Sequence, residues 1–459
     1  MTDATTENAP YAFVRRETLD AQPAPISVAG PVAWIRNNLF PSPLNAILTL
    51  ACIAFVIWAT PGLVRFYLLD AVWTGTNREA CLADQIGRPV GACWAYIADR
   101  IPYFVYGSYP VDQRWRVNIV FALFFIGVFW MLWDRAPLKK VGAFFVFVLL
   151  PITAYVLLLG GANAEAFLRN LIFLTLAFAL LYMVLSFVPS LARLWTSEGQ
   201  LALEHSLPPW QRFHRPKRLI LFALVLFGIV AVLVESRGLP YVHTGLWGGM
   251  MVTFLVSAVG IVFSLPLGVL LALGRRSHLP AIQLLSVIFI EFVRGVPLIT
   301  VLFMANTMLP LFVPNEYSPD RLLRPLIGVA LFAAAYMAEV VRGGLQAIPK
   351  GQYEGAMSLG LGYGKMMRLI ILPQALRIVI PGIVNTFIGL FKDSTLVMIV
   401  GIFDFLRTIE ATLVDPTWAT PTTRATGYAF AAIFYFLCCW GMSRYSIAVE
   451  KRLAAGQKR

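Results

Sequence analysis

Glu291 and Arg294, and again Glu339 and Arg342, are opposite charges three residues apart inside long apolar runs. At that spacing the two side chains of a pair meet on one helix face. An unpaired charge among apolar neighbours is costly. Each pair therefore either neutralises itself and ties a helix end into its bundle, or lines or gates a passage. A second group is denser: Lys392, Asp393, Ser394 and Thr395 follow one another, with Asn385 and Thr386 earlier on the same run. Together they offer a cation, a carboxylate, an amide and hydroxyls, the donors and acceptors that a small zwitterion needs along its route. Asn385, seven residues before Lys392, shares its helix face better than Thr386 does. The bland alternative is a lysine that snorkels to a polar interface.

Other chemistry is missing from the pattern. Gly360-Leu-Gly362-Tyr-Gly364-Lys365 looks like a phosphate loop, but Leu359 and Met366 stand where a glycine and a hydroxyl are required. The histidines 205, 214, 243 and 278 are scattered without ligand spacing, so no metal site is expected. Neither a serine nucleophile nor a catalytic carboxylate pair is in evidence. The chain is not expected to be an enzyme.

The elements that must position these groups follow from composition. The chain has 459 residues, 59% hydrophobic and 13% charged, with a mean hydropathy of +0.73. A soluble domain carries about 25% charged residues, and one soluble core cannot hide so much apolar surface. A soluble enzyme, a disordered chain and a disulfide scaffold are excluded. What remains is an all-α polytopic membrane protein. Its net charge of +13 fits basic cytoplasmic loops. Without RRM, KH or zinc-finger spacing, no nucleic-acid partner is expected.

Ten runs come close to the roughly 20 apolar residues that cross a bilayer: 44–64, 117–133, 141–160, 168–190, 219–235, 246–273, 281–311, 325–343, 376–400 and 425–448. The second and fifth are short, and the seventh is long enough to be tilted or broken. With the N-terminus inside, the inward segments carry roughly twice the Lys and Arg of the outward ones. Both termini are therefore expected in the cytoplasm, with residues 1–43 as a polar tail lacking the apolar stretch of a cleavable signal. The loop at about 65–116 then lies outside. Of five cysteines, Cys52, Cys438 and Cys439 sit in apolar runs and read as small hydrophobes. Cys81 and Cys93 share the outer loop and are the pair available for a disulfide, provided that the space outside is oxidising.

The spans of 44–235 hold almost no charge and their loops no motif, whereas 236–459 holds the charged pairs and a long cytoplasmic segment. No repeat relates the halves. An N-terminal transmembrane extension at 44–235 and a functional core at 236–459 are expected. Gly260-x3-Ser264-x3-Gly268 is a small-residue stripe for helix packing, with a contact to a second membrane chain among its uses.

Residues 343–373 read as a short helix from Gly351 to Gly360, a glycine break and a second helix. Pro349 and Gly351 fit the turn before the first helix, and Gly360 with Gly362 its end. For an arbitrary sequence this would be an amphipathic loop. Here Glu354, Ala356, Gly360, Ile370, Leu372 and Pro373 stand in the register Glu-Ala-Ala-x3-Gly-x9-Ile-x-Leu-Pro. The segment, with Gly351 and Gln352 before it, resembles the signature of permease subunits of bacterial ABC importers. Gly355 replaces the usual alanine, which softens the first turn.

The resemblance covers about 245–450. Glu291-Phe-Val-Arg294-Gly-Val-Pro297-Leu, Tyr336-Met-Ala-Glu339-Val-Val-Arg342-Gly-Gly and Phe391-Lys392-Asp393-Ser394-Thr395-Leu look like the polar amino acid branch. Gly91-Ala-Cys93-Trp94, Tyr109-Pro110 and Arg114-Trp115-Arg116 are similar to the long permease of general L-amino acid importers of Gram-negative bacteria. The resemblance implies a type I importer core of five helices after an N-terminal helical extension, in the inner membrane. It also implies a second permease, two ATPase subunits and a periplasmic amino-acid-binding protein, with L-amino acids as substrate. No cofactor is expected on this chain, since ATP and Mg would sit on the ATPase, reached through the Glu354 helix. A narrower importer for glutamate, glutamine, aspartate and asparagine fits the same residues. An ion-driven carrier has no use for the 343–373 segment and would more often show inverted repeats.

Overall fold

The structure, a computed structural model, describes residues 30–133, 135–161, 238–314 and 318–455. The runs expected at 168–190 and 219–235, with His205 and His214, lie outside these residues. Among the described residues, seven helices are long and apolar enough to cross a membrane: Pro43–Leu69, Val111–Leu132, Lys139–Leu159, Gly249–Arg275, Leu323–Ala347, Ile380–Val400 and Thr423–Leu453. The run at 281–311 is a bent pair, Pro280–Gly295 and Leu298–Phe312, turned by 108°. The bend has a local cause. A residue before proline avoids the α region, and Val296, ahead of Pro297, sits at φ −105°, ψ 136°. The short second run is completed at its start by Arg114, Trp115 and Arg116, which join the Arg114–Leu132 helix.

Residues 30–71 with 89–92 form one compact unit, and 72–88 with 93–455 another. In the first, Ser42 caps the Pro43–Val64 helix by accepting from the Asn45 amide at 3.3 Å, with Pro43 in the first turn. No residue of that helix is buried.

The second unit is built around Gly249–Arg275 packed along Leu323–Ala347. Small residues allow the close approach. A Cβ on Gly260 would stand 3.1 Å from Val329, and one on Gly268 2.7 Å from the Met337 Cβ. Ser264, between them, is fully buried, as are Ala333, Ala334 and Ala338 opposite. The stripe is a seam between helices of this chain, the helix packing expected of it. Two apolar clusters flank the seam. One gathers Val252, Val256, Val329, Leu390 and Val397. The other gathers Ala272, Ile290, Met337, Val341, Ile371 and Ala375, and takes in Ala356 and Met366 of the 343–373 segment.

At the end of the bundle away from that segment, residues 72–88 and 93–110 fold into a cap. Cys81 and Cys93 are joined in a disulfide, Cα atoms 5.8 Å apart. The Cys93 amide donates to Thr426 Oγ1 at 2.9 Å. The Trp94–Tyr106 helix lies against Phe405–Thr412: Tyr96 Oη and Thr412 Oγ1 are 2.5 Å apart, and burial pushes the Tyr96 phenol up to about 12. Trp418 donates to Asp99 at 2.8 Å, and Arg100 pairs with Asp415 at 2.6 Å.

Asp404 closes the same region. It is fully buried and caps the Phe405–Thr412 helix, accepting from the amides of Leu406 at 3.0 Å and Arg407 at 3.2 Å. Burial pushes its carboxyl up to about 7, against the pull of those amides. Because the folded protein holds this proton more tightly than the unfolded chain, the contribution to stability is fully present below about pH 4. It is lost as pH rises through 7. The interval corresponds to on the order of 4 kcal/mol. Asp404→Asn keeps the capping acceptor and cannot ionise. Its thermal midpoint in detergent is expected to exceed that of the parent by a clearly larger margin at pH 8 than at pH 5; parallel pH curves would overturn this.

Candidate functional site: the 343–373 segment and the charged cluster beside it

The Lys350–Ser358 helix begins on Pro349, so Gly351 lies inside its first turn and not in the turn before it. It ends in a motif that requires glycine. The Gly360 amide donates to the Met357 carbonyl at 2.9 Å and the Leu361 amide to the Ala356 carbonyl at 3.2 Å, with Gly360 at φ +70°. This is a Schellman cap, and Leu361 joins Ala356 in the same apolar cluster. Gly355 faces open space, so the departure from alanine costs helix propensity alone.

The helix is two-sided. Ala356 is buried and Tyr353 half-buried, while Gln352, Glu354, Met357 and Leu359 are exposed. Leu359 is 76% exposed and Met357 57%, an apolar rim beside a carboxylate. Behind it, Leu372 is half-buried and Pro373 exposed. Gln374 Nε2 donates to Gln352 Oε1 at 3.1 Å. The inward side is fixed by Tyr353, whose hydroxyl donates to the Leu345 carbonyl at 3.2 Å and accepts from Arg276 at 3.2 Å.

Next to this anchor the charged pairs merge into one cluster. Arg275 Nη1 reaches Glu291 Oε1 at 2.6 Å and Glu339 Oε1 at 2.9 Å. Arg342 Nη2 binds Glu339 Oε2 at 2.7 Å. Arg294 stands 3.6 Å from Glu339 and 3.8 Å from Glu291, with its guanidinium 5.8 Å from the Tyr336 ring centre. Glu291 is thus held more closely by Arg275 than by its sequence neighbour Arg294. Arg275 ties three helices together, and sequence reading missed it. As the last residue of an apolar run followed by Arg276, it looked like an ordinary cytoplasmic end charge. The surplus of close partners around Glu339 becomes visible only once the helices are side by side.

The group around Lys392 does not converge. Asn385 and Lys392 are both exposed on the Ile380–Asp393 helix. The hydroxyls of Thr386, Ser394 and Thr395 instead donate to their own backbone, at Gly382 (3.0 Å), Phe391 (2.7 Å) and Lys392 (2.9 Å). Ser394 is buried and Asp393 half-buried, and the α-helix ends at Asp393. A second residue missed from sequence is Arg116. It is fully buried, and its Nη1 donates to the carbonyls of Pro240 at 3.0 Å and Leu157 at 3.5 Å, joining three segments of chain.

Residues 264–454 match the family model of the binding-protein-dependent transport system inner membrane component. The chain is 40% identical over 436 residues to the inner membrane amino-acid ABC transporter permease protein YhdY of Escherichia coli K12, covering 95% of this chain and 96% of that one. It is 41% identical over 450 residues to the glutamate/glutamine/aspartate/asparagine transport system permease protein BztC of Rhodobacter capsulatus, covering 96% and 98%. Among solved structures, an amino acid ABC transporter crystallised with histidines aligns at 28% identity over 44% of this chain and 92% of that chain, with a TM-score of 0.39. The 343–373 register, the family model and the 40–41% identity over nearly the full length of two such proteins agree: this chain belongs to the inner-membrane permease components of binding-protein-dependent amino acid ABC transporters.

Proposed function

We infer that the chain forms one half of a translocation path for L-amino acids across a bacterial inner membrane, with a second permease completing it. ATP, with Mg, binds and is hydrolysed on two separate ATPase subunits, and a periplasmic binding protein delivers the solute. Residues 236–459 are the transport core, and 44–235 an N-terminal extension. The observation that carries this reading is the Lys350–Ser358 helix. It is anchored inward by Tyr353 and Ala356 and presents Glu354, Met357 and Leu359 outward, as a rigid peg that docks on an ATPase requires.

The Lys and Arg distribution supports both termini in the cytoplasm. The Cys81–Cys93 disulfide supports the same orientation, since disulfides persist in oxidising spaces such as the periplasm. Asn385 and Lys392 are the groups offered to the solute's carboxylate and ammonium. Identity to BztC over nearly the whole chain favours a second, narrower reading: acidic amino acids and their amides.

The test is uptake into proteoliposomes holding this chain with its partner permease, ATPase and binding protein, across acidic, neutral and basic L-amino acids. ATP-dependent uptake of all classes is the expected result. Uptake limited to glutamate, glutamine, aspartate and asparagine would select the narrower reading. Transport that ignores ATP and follows an ion gradient would overturn both.

A further inference from the structure

Arg275 and Arg276 are consecutive, yet their side chains serve different neighbours. Successive residues on a helix point about 100° apart, and here the two directions lead to two structures. Arg276 Nη1 donates to the Leu345 carbonyl at 3.2 Å and to Tyr353 Oη at 3.2 Å, and its guanidinium lies 5.7 Å from the centre of the Tyr353 ring. Since Tyr353 also donates to Leu345, the three groups close a triangle on the inward side of the Lys350–Ser358 helix. Arg275 turns to Glu291 and Glu339. Glu291 sits on the Pro280–Gly295 helix, whose last turn carries Arg294, itself 3.6 Å from Glu339. One residue further the chain enters the 108° bend.

We propose that the Arg275–Arg276 pair is the link that carries displacement of the Lys350–Ser358 helix to the bent span at 280–312, making both arginines positioning residues for transport. This rests on the functional reading above, in which the helix docks on an ATPase. The covalent routes from that helix lead back through Ile348 and Pro349 into Leu323–Ala347 and on through Leu359 and Gly360 into residues 363–378. Gly249–Arg275 and Pro280–Gly295 have no such covalent route and meet the motion through the two guanidinium groups, beside the apolar contacts of Ala272 and Ile290. Both guanidinium links run through polar contacts of defined geometry. A single truncation therefore disconnects one helix pair while leaving the apolar seam of Gly268 and Met337 intact.

The test uses the complete reconstituted complex with Arg276→Ala, Arg276→Lys and Tyr353→Phe. Amino acid transported per ATP hydrolysed is expected to fall about tenfold in Arg276→Ala, with the ATPase still bound at its parental stoichiometry. Arg276→Lys retains one donor and recovers part of the ratio, and Tyr353→Phe loses part of it. Spin labels at the exposed residues Leu285 and Lys350 supply a readout that a merely structural role would not move. Their separation should stay constant on ATP addition in the parent, where the helices travel together, and change in Arg276→Ala. A parental transport ratio in Arg276→Ala would overturn the link alone, as would loss of uptake that only tracks loss of bound ATPase. A parent complex that fails to couple ATP to uptake would overturn the functional reading itself, and the link with it.

Discussion

Glu354→Lys is expected to abolish ATP-driven uptake while the permease still inserts and folds. Glu354 is exposed on the Lys350–Ser358 helix, and a surface substitution of this kind changes stability by less than about 0.5 kcal/mol. Its anchors, Tyr353 and Ala356, are untouched. If Glu354 docks against a cation of the ATPase, the reversal replaces attraction by like-charge contact, which costs several kcal/mol, on the order of a hundredfold or more in coupling. Gly360→Val reaches the same end by another path. Gly360 holds φ +70°, where a β-branched residue is strained by roughly 1–2 kcal/mol. The Schellman cap that aims the helix is then lost. Gly360→Asn, tolerated in the left-handed region, serves as the milder control. ATPase capture, ATP hydrolysis and uptake measured on the same reconstituted samples check both variants. Uptake retained in Glu354→Lys, or in Gly360→Val with the cap broken, would refute the docking role.

What the sequence made legible follows from range. Turn chemistry at Gly360 and the break at Val296–Pro297 are written in adjacent residues, and the apolar runs in windows of about 20 residues. Each of these could be read without a fold. The cap at 72–88 and 93–110 could not. Its contacts join Cys93 to Thr426 and Asp99 to Trp418, pairs separated by more than half the chain. The loop's Trp and Arg content gave no partner for either. The charged residues show both sides of the limit. The spacing of Glu339 and Arg342 announced a local pair, and that contact is present at 2.7 Å. The same spacing suggested Arg294 for Glu291, yet Arg275 is closer at 2.6 Å, because helix packing and not helix pitch decides. At Lys392 the reading by residue type counted hydroxyls as available. In the structure Thr386, Ser394 and Thr395 have already spent them on carbonyls of their own turn.

Glu339→Gln is expected to produce the largest loss of stability among single changes in the charged cluster. Glu339 is the most buried of its members, with its side chain 16% exposed, against 25% for Arg275 and 30% for Arg342. It accepts from Arg342 through both Nε and Nη2, at 3.0 and 2.7 Å, and from Arg275 at 2.9 Å. Glutamine keeps the shape and one acceptor but leaves three guanidinium groups facing Glu291 alone, which is 52% exposed. Removing one partner of a fully buried pair costs about 3–5 kcal/mol, and partial exposure of the arginines brings the expectation down to about 2–3 kcal/mol. The thermal midpoint in detergent should fall accordingly and fall further at low salt, where repulsion among the arginines is less screened. Adding Arg275→Met to Glu339→Gln removes one of the three cations and should recover part of the loss, a coupling that a double-mutant cycle reads directly. If the two changes instead add without recovery, the cluster is a set of independent surface pairs, and the helix ends at 275, 291 and 339 are held by the apolar packing of Ile290, Met337 and Val341 alone.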